Sequence, residues 1–180
     1  MGTRILCTDC HNSDDNREFG GNGPNGPHGS TYTHILERRY EASFVAAGVG
    51  PGTAILNLQP AVSDPAAGGP YSLCAKCHNL SIIMSDTSFV GHKLHINRGF
   101  SCSVCHTAHG TGPSMEGLAG ERLVTFDLAV VARNSSTNTP ITYDRGRNTC
   151  ILRCHNRNHN FDGSVQRTGA VSNAAGKFVP

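Results

Sequence analysis

The chain has 180 residues, a formal net charge of +2 and 37% hydrophobic residues, enough for one ordinary domain. Leu, Ile, Val and Phe total only 37, Gly and Pro together reach 30, and Trp is absent, a composition near the level at which a chain struggles to bury a core. So small a positive charge gives no basis for a nucleic-acid partner. No apolar run approaches transmembrane length either, because the stretch from Phe44 to Leu58 is broken by Gly48, Gly50, Pro51 and Gly52.

In chain order, the first element is a Cys-x-x-Cys-His motif, Cys7-Thr-Asp-Cys10-His11, almost at the start. The Gly- and Pro-rich stretch 20–29 reads as irregular and leads to a predicted helix from Ser30 to about Tyr40, with Ser30 as its cap. Residues 46–70, rich in Gly, Ala and Pro, read as an extended surface loop. A second motif follows, Cys74-Ala-Lys-Cys77-His78. A helix is predicted from Asp86 to about Asn97, capped by Asp86, with Phe89, His92 and His95 near one face. The third motif is Cys102-Ser-Val-Cys105-His106. Leu123 to Ala132 reads as a strand pairing with Ile141 to Tyr143 across Asn134 to Pro140. The fourth motif, Cys150-Ile-Leu-Arg-Cys154-His155, has one extra spacer residue, and the tail beyond it carries no clear signal.

Cys-x-x-Cys-His is the attachment signature of c-type haem: two thioethers fix the porphyrin edge and the adjoining His ligates the iron from one face. Eight cysteines also suffice for two four-cysteine zinc sites or four disulfides, but neither needs a His after the second Cys of every pair. With 10 His in 180 residues, four such placements by chance run at about one in a hundred thousand. The reading is therefore four haem c groups, attached through Cys7, Cys10, Cys74, Cys77, Cys102, Cys105, Cys150 and Cys154, with His11, His78, His106 and His155 as proximal ligands. The fold class that follows is mostly irregular and loop-rich, with short helices and one β-hairpin. It forms a single domain, 1–180, organised around four stacked haems that act as the core and leave the haem-free chain mostly disordered. Of the 15 basic residues 12 are Arg, the side chain suited to bidentate pairing with haem propionates. Eight propionates on four ferric haems turn the formal +2 into about −2, and into about −6 when all irons are ferrous.

Six histidines remain for the sixth coordination position of each iron: His28, His34, His92, His95, His109 and His159. Six candidates for four places make bis-histidine ligation throughout feasible. Met1, Met84 and Met115 are the alternatives that would raise a potential; the terminal Met1 is a poor one, and Met84 also reads as ordinary packing beside Ile82 and Ile83.

The segment Phe89-Val-Gly-His92-Lys-Leu-His95, followed by the third motif, resembles the Phe-x-His-x-x-His arrangement of tetrahaem cytochromes c3, with one more residue between Phe and the first His. The resemblance implies that His92 and His95 are distal ligands to two different haems, which helical spacing of three allows. His109, in Cys-His-Thr-Ala-His-Gly, and His28, in Gly-Pro-His-Gly-Ser, resemble the distal ligands of the doubled-motif multihaem cytochromes. His34 and His159 stand in reserve, each also readable as a surface imidazole or one bonding a propionate. These motifs cover about a third of the chain, and the long 12–73 insert departs from the compact c3 pattern, so the c3 fold is not implied. The layout is closer to extracellular tetrahaem cytochromes that polymerise into conductive filaments, where a neighbouring subunit can donate a distal His.

Haem attachment of this type takes place outside the cytoplasmic membrane, so the chain is expected to be exported, to the cell surface or beyond, with a periplasmic location as the alternative. Met1 to Leu6 has no long apolar stretch, so the numbering is expected to start at a mature or trimmed N-terminus. Asn79-Leu-Ser and Asn134-Ser-Ser fit the glycosylation triplet. Three functions compete. One is electron transfer along closely packed six-coordinate haems, as a homopolymer or surface conduit. The second is a soluble shuttle docking with redox partner proteins. The third is a multihaem reductase, which needs an open iron and acid/base groups around it. The supply of histidines argues against the enzyme, because enough exist to close every site.

Overall fold

The structure, a computed structural model, describes residues 5–40, 71–87, 90–97, 100–109 and 123–168. The expected surface loop over 46–70, Phe89 and Met115 lie outside the described residues. The chain divides into two compact units, Met1–Phe100 and Ser101–Pro180, each carrying two of the four motifs.

In the first unit the described elements are short. A 3-10 turn spans Cys7–Asp9 and another Arg17–Phe19, where Asn16 Oδ1 accepts from the Phe19 amide at 3.2 Å. Three short helices follow: α1 (Ser72–Ala75), α2 (Leu80–Met84) and α3 (His92–Asn97). Asn79 opens α2 by accepting from the Ile82 amide, as an N-cap of this residue type does. Helices this short do not hold themselves in water. They depend on burying Tyr71, Ala75, Leu80 and Ile96.

The helix expected over Ser30 to Tyr40 is not formed. In its place a 3-10 turn covers Thr33–Ile35, with His34 (φ 62°) and Ile35 (φ 53°) in the left-handed region. The Ser30 hydroxyl donates to the Leu36 carbonyl at 2.6 Å and accepts from the Tyr32 amide at 2.9 Å, closing a loop instead of capping a helix. Leu36 then makes antiparallel bridges to His11 and Tyr32. The helix expected from Asp86 begins later, at His92. Asp86 still caps it, accepting from the Lys93 amide at 2.9 Å, but reaches across an intervening turn from its own left-handed backbone (φ 59°).

The second unit holds an antiparallel sheet in the order β1 (Thr142–Asp144), β2 (Thr149–Cys154), β3 (Arg157–His159), β4 (Val165–Arg167). Ile151 and Leu152 of β2 are buried with Val104, Phe126 and Val131. The hairpin partner differs from the expected one. Residues 123–132 make isolated bridges, His106 with Val124 and Ala132 with Arg153, while Tyr143 pairs with Cys150. The loop decides it. Asp144 accepts from the Arg147 amide at 3.0 Å and from Arg147 Nη1 at 2.8 Å, and Asn148 takes φ 55°, so a four-residue turn closes at once. The 134–140 loop is held elsewhere. Buried Asn134 accepts from the Ser136 amide at 2.9 Å and donates to Asn160 Oδ1 at 2.7 Å, which closes that glycosylation triplet to modification. Asn79, in the other triplet, is exposed.

Candidate functional site

The first three motifs have one backbone geometry. In each, the amide of the His bonds back to the carbonyl of the first Cys: His11 to Cys7 at 2.8 Å, His78 to Cys74 at 2.9 Å, His106 to Cys102 at 2.9 Å. The second Cys bonds the same carbonyl, Cys10 at 3.3 Å, Cys77 at 3.2 Å and Cys105 at 3.2 Å. One tight turn therefore sets two thiols three residues apart on one side, about 5–6 Å between Cβ atoms, with the imidazole following directly.

An extended segment backs two of these turns. Glu37 donates its amide to the Cys10 carbonyl at 2.9 Å beside the His11–Leu36 bridge. Behind the third turn, Thr125 donates to the Cys105 carbonyl at 2.9 Å and Asp127 to the Val104 carbonyl at 2.9 Å. The segment expected to pair with Ile141 thus spends its hydrogen bonds on the motif.

The fourth motif is different. Cys150 and Cys154 both lie in β2, and His155 (φ 38°) and Asn156 (φ 60°) form the two-residue turn into β3. The two cysteines thus share no tight turn, and β2 changes partner between them, pairing with β1 through Ile151 and with β3 from Leu152. Burial pushes the Cys150 thiol up to about 11 and the Cys154 thiol to about 12. Burial, with repulsion from Cys150 and Cys154, raises that of Cys105 further. In the first unit burial also raises the Cys10 thiol, against the pull of the Lys76 ammonium. No disulfide joins any of the eight cysteines.

Two imidazoles have their tautomer set by a backbone carbonyl. His11 Nδ1 lies 2.8 Å from the His34 carbonyl, and His95 Nδ1 lies 2.7 Å from that of Gly91. A carbonyl oxygen only accepts, so each Nδ1 carries the proton and each Nε2 presents a lone pair, the arrangement in which a metal-bound His is held. His92 and His95 are both half-buried and three apart on α3. His28, His34, His78 and His109 are exposed. His155 and His159 meet edge to face with ring centroids 5.6 Å apart.

One group of residues carries no motif and was not expected. Glu37 and Arg38 are each 1% exposed. Glu37 Oε2 accepts from Lys76 Nζ at 2.9 Å and from Asn12 Nδ2 at 3.2 Å, while Oε1 faces Arg38 Nε at 3.3 Å. Lys76 also donates to the Asp9 carbonyl at 2.8 Å. Lys76 Nζ and Arg38 Cζ stand 4.7 and 5.3 Å from the Phe19 ring centroid, within cation–π range. A Lys in the second motif's spacer and a Glu-Arg-Arg run far upstream give no local sign of meeting.

Among the described residues no helix is long and apolar enough to cross a membrane. Comparisons with protein-family models, curated proteins and solved structures return no match.

Proposed function

We propose that this chain is a tetrahaem c-type cytochrome that transfers electrons one at a time between bis-histidine haems, as a single cofactor-organised domain without catalytic turnover of its own. The observation that carries the reading is the common turn of the first three motifs, which sets two thiols and an imidazole as covalent haem attachment requires. The Nδ1 bonds of His11 and His95 add to it, since each holds its ring by a backbone carbonyl in the tautomer that a metal-bound imidazole takes. The residues that hold the groups are the cysteines at 7, 10, 74, 77, 102 and 105 with His11, His78 and His106. At the fourth motif the proposal rests on the sequence alone, because Cys150 and Cys154 lie in a strand and lack the turn that the first three motifs share. When bound, the haems supply reversible one-electron exchange, with potentials set by axial ligands, burial and nearby charge.

His28, His92, His95 and His109 are proposed as distal ligands, with His34 and His159 in reserve. The fuller proposal is an exported subunit that polymerises into an extracellular conductive filament, with a His donated across the subunit contact; a soluble periplasmic shuttle is the alternative. Large apolar side chains left in the open, such as Val90 at 83% and Ile5 at 73% exposure, favour surfaces that a porphyrin or a second copy covers. The test is haem content per chain by pyridine haemochrome and denatured mass, followed by electron microscopy of the natively secreted protein. Four covalent haems and ordered filaments are the expected result. Dispersed particles at high concentration would leave the shuttle, and a haem-free chain would end the reading.

A further inference from the structure

We propose that Lys76 is a positioning residue that docks the second attachment turn on the first and places one shared positive charge beside both, so that the first two haems respond to it as a pair. This rests on the haem reading of the motifs. Lys76 sits in the spacer between Cys74 and Cys77, and its ammonium reaches the carbonyl of Asp9, in the spacer between Cys7 and Cys10, at 2.8 Å. The same ammonium bonds Glu37 at 2.9 Å, and the Glu37 amide in turn bonds the Cys10 carbonyl at 2.9 Å. Asn12, next to the proximal His11, completes the carboxylate's partners. A single Lys thus ties both spacers through a Glu that is 1% exposed.

Charge sets the consequence. Lys76 sets its ammonium beside both spacers, paired with the buried Glu37 carboxylate, in a poorly screened place where a change of one charge reaches both turns. Reduction of a haem adds a negative charge, which a nearby cation favours. A charge shared by two turns acts on two haems.

The experiment is a potentiometric titration of the haem-loaded, full-length protein, followed in the Soret band, for wild type, Lys76→Met, Lys76→Arg, Glu37→Gln and the exposed control Arg167→Gln. The expected result has two of the four one-electron components falling in Lys76→Met, the same two rising in Glu37→Gln, and all four restored in Lys76→Arg. Arg167→Gln leaves these two components where they are. Any other pattern overturns the inference: no shift, a shift in one component, or an equal shift in all four. Should Lys76→Met load fewer haems, peptide mapping decides. Loss confined to the first and second motifs supports the dock, and loss at the third or fourth overturns it. A wild type without haem removes the parent reading, whereas a four-haem wild type indifferent to these changes removes this inference alone.

Discussion

The His11 ring donates from Nδ1 to the backbone carbonyl of His34, 2.8 Å away. His34 holds that carbonyl in place from a left-handed backbone (φ 62°), followed by a second left-handed residue, Ile35 (φ 53°). Such a conformation costs of order 1–3 kcal/mol and persists where the surroundings over-determine it. Here the surroundings are the Leu36 bridge to His11 and the Ser30 bond to Leu36. The strain therefore sits where it aims one hydrogen bond at a candidate iron ligand.

The role of His34 then lies in its backbone. Asn tolerates the left-handed region, so His34→Asn is expected to keep a fully low-spin spectrum in the haem-loaded protein. His34→Pro forces φ near −65° and is expected to cost about 3 kcal/mol and to disturb the first haem. A high-spin haem appearing in His34→Asn would show that the imidazole itself is an iron ligand.

Removing Glu37 takes from Lys76 Nζ and Arg38 Nε the buried carboxylate that each of them meets. Glu37→Leu should cost about 3 kcal/mol, as breakage of buried ion pairs does, read as a lower urea midpoint. Glu37→Leu combined with Lys76→Met should recover part of that loss. Additive losses in the double variant would mean that the two side chains do not act together.

At low pH the 14–31 loop should loosen first. Burial pushes the Asp14 carboxyl up, but bonds from the Thr31 hydroxyl at 2.5 Å and amide at 2.9 Å outweigh it and hold the group below the usual carboxylate range. A depressed folded value means that the stabilisation is complete above about pH 4 and is lost as pH falls through the lower folded value. Hydrogen exchange at the Thr31 amide should speed up on acidification beyond the intrinsic trend, and Asp14→Asn should remove that extra step.

At high pH the sign reverses and depends on haem. Cys150 and Cys154 hold their protons to about 11 and about 12 when folded, whereas an unfolded thiol releases its proton from about pH 9, so their contribution is present below pH 9 and is lost between pH 9 and 12. Any structure that the haem-free chain keeps around β2 should therefore be lost across that range, and within that structure iodoacetamide should label these two cysteines slowly at pH 8. Thioether formation consumes the thiols, so the loaded protein should show neither effect and should contain no Ellman-reactive thiol even when denatured. A thiol signal from Cys150 and Cys154 alone would give a three-haem protein whose fourth motif remains a strand.

Local chemistry was readable along the chain wherever one short segment completes its own structure. The first three Cys-x-x-Cys-His turns close on their own first carbonyl, and His92 and His95 share a helix. Asp86 as a cap was also legible, although its helix starts farther on, because a carboxylate's preference for free amides does not depend on how the intervening turn is routed. What only the tertiary structure decided were choices between competing partners. Ser30 to Tyr40 has residues for a helix, yet Leu36 and Glu37 find better backbone partners in His11 and Cys10. Residues 123–127 look like half of a hairpin, yet spend their amides on the third motif, while the tight turn at 145–148 hands Thr142–Asp144 to β2. The Lys76–Glu37 contact spans 39 residues and has no periodicity to announce it. Periodicity and spacing report what a segment prefers by itself. Burial of a charge, and the partner that makes it tolerable, are settled only when distant segments compete for the same hydrogen bonds.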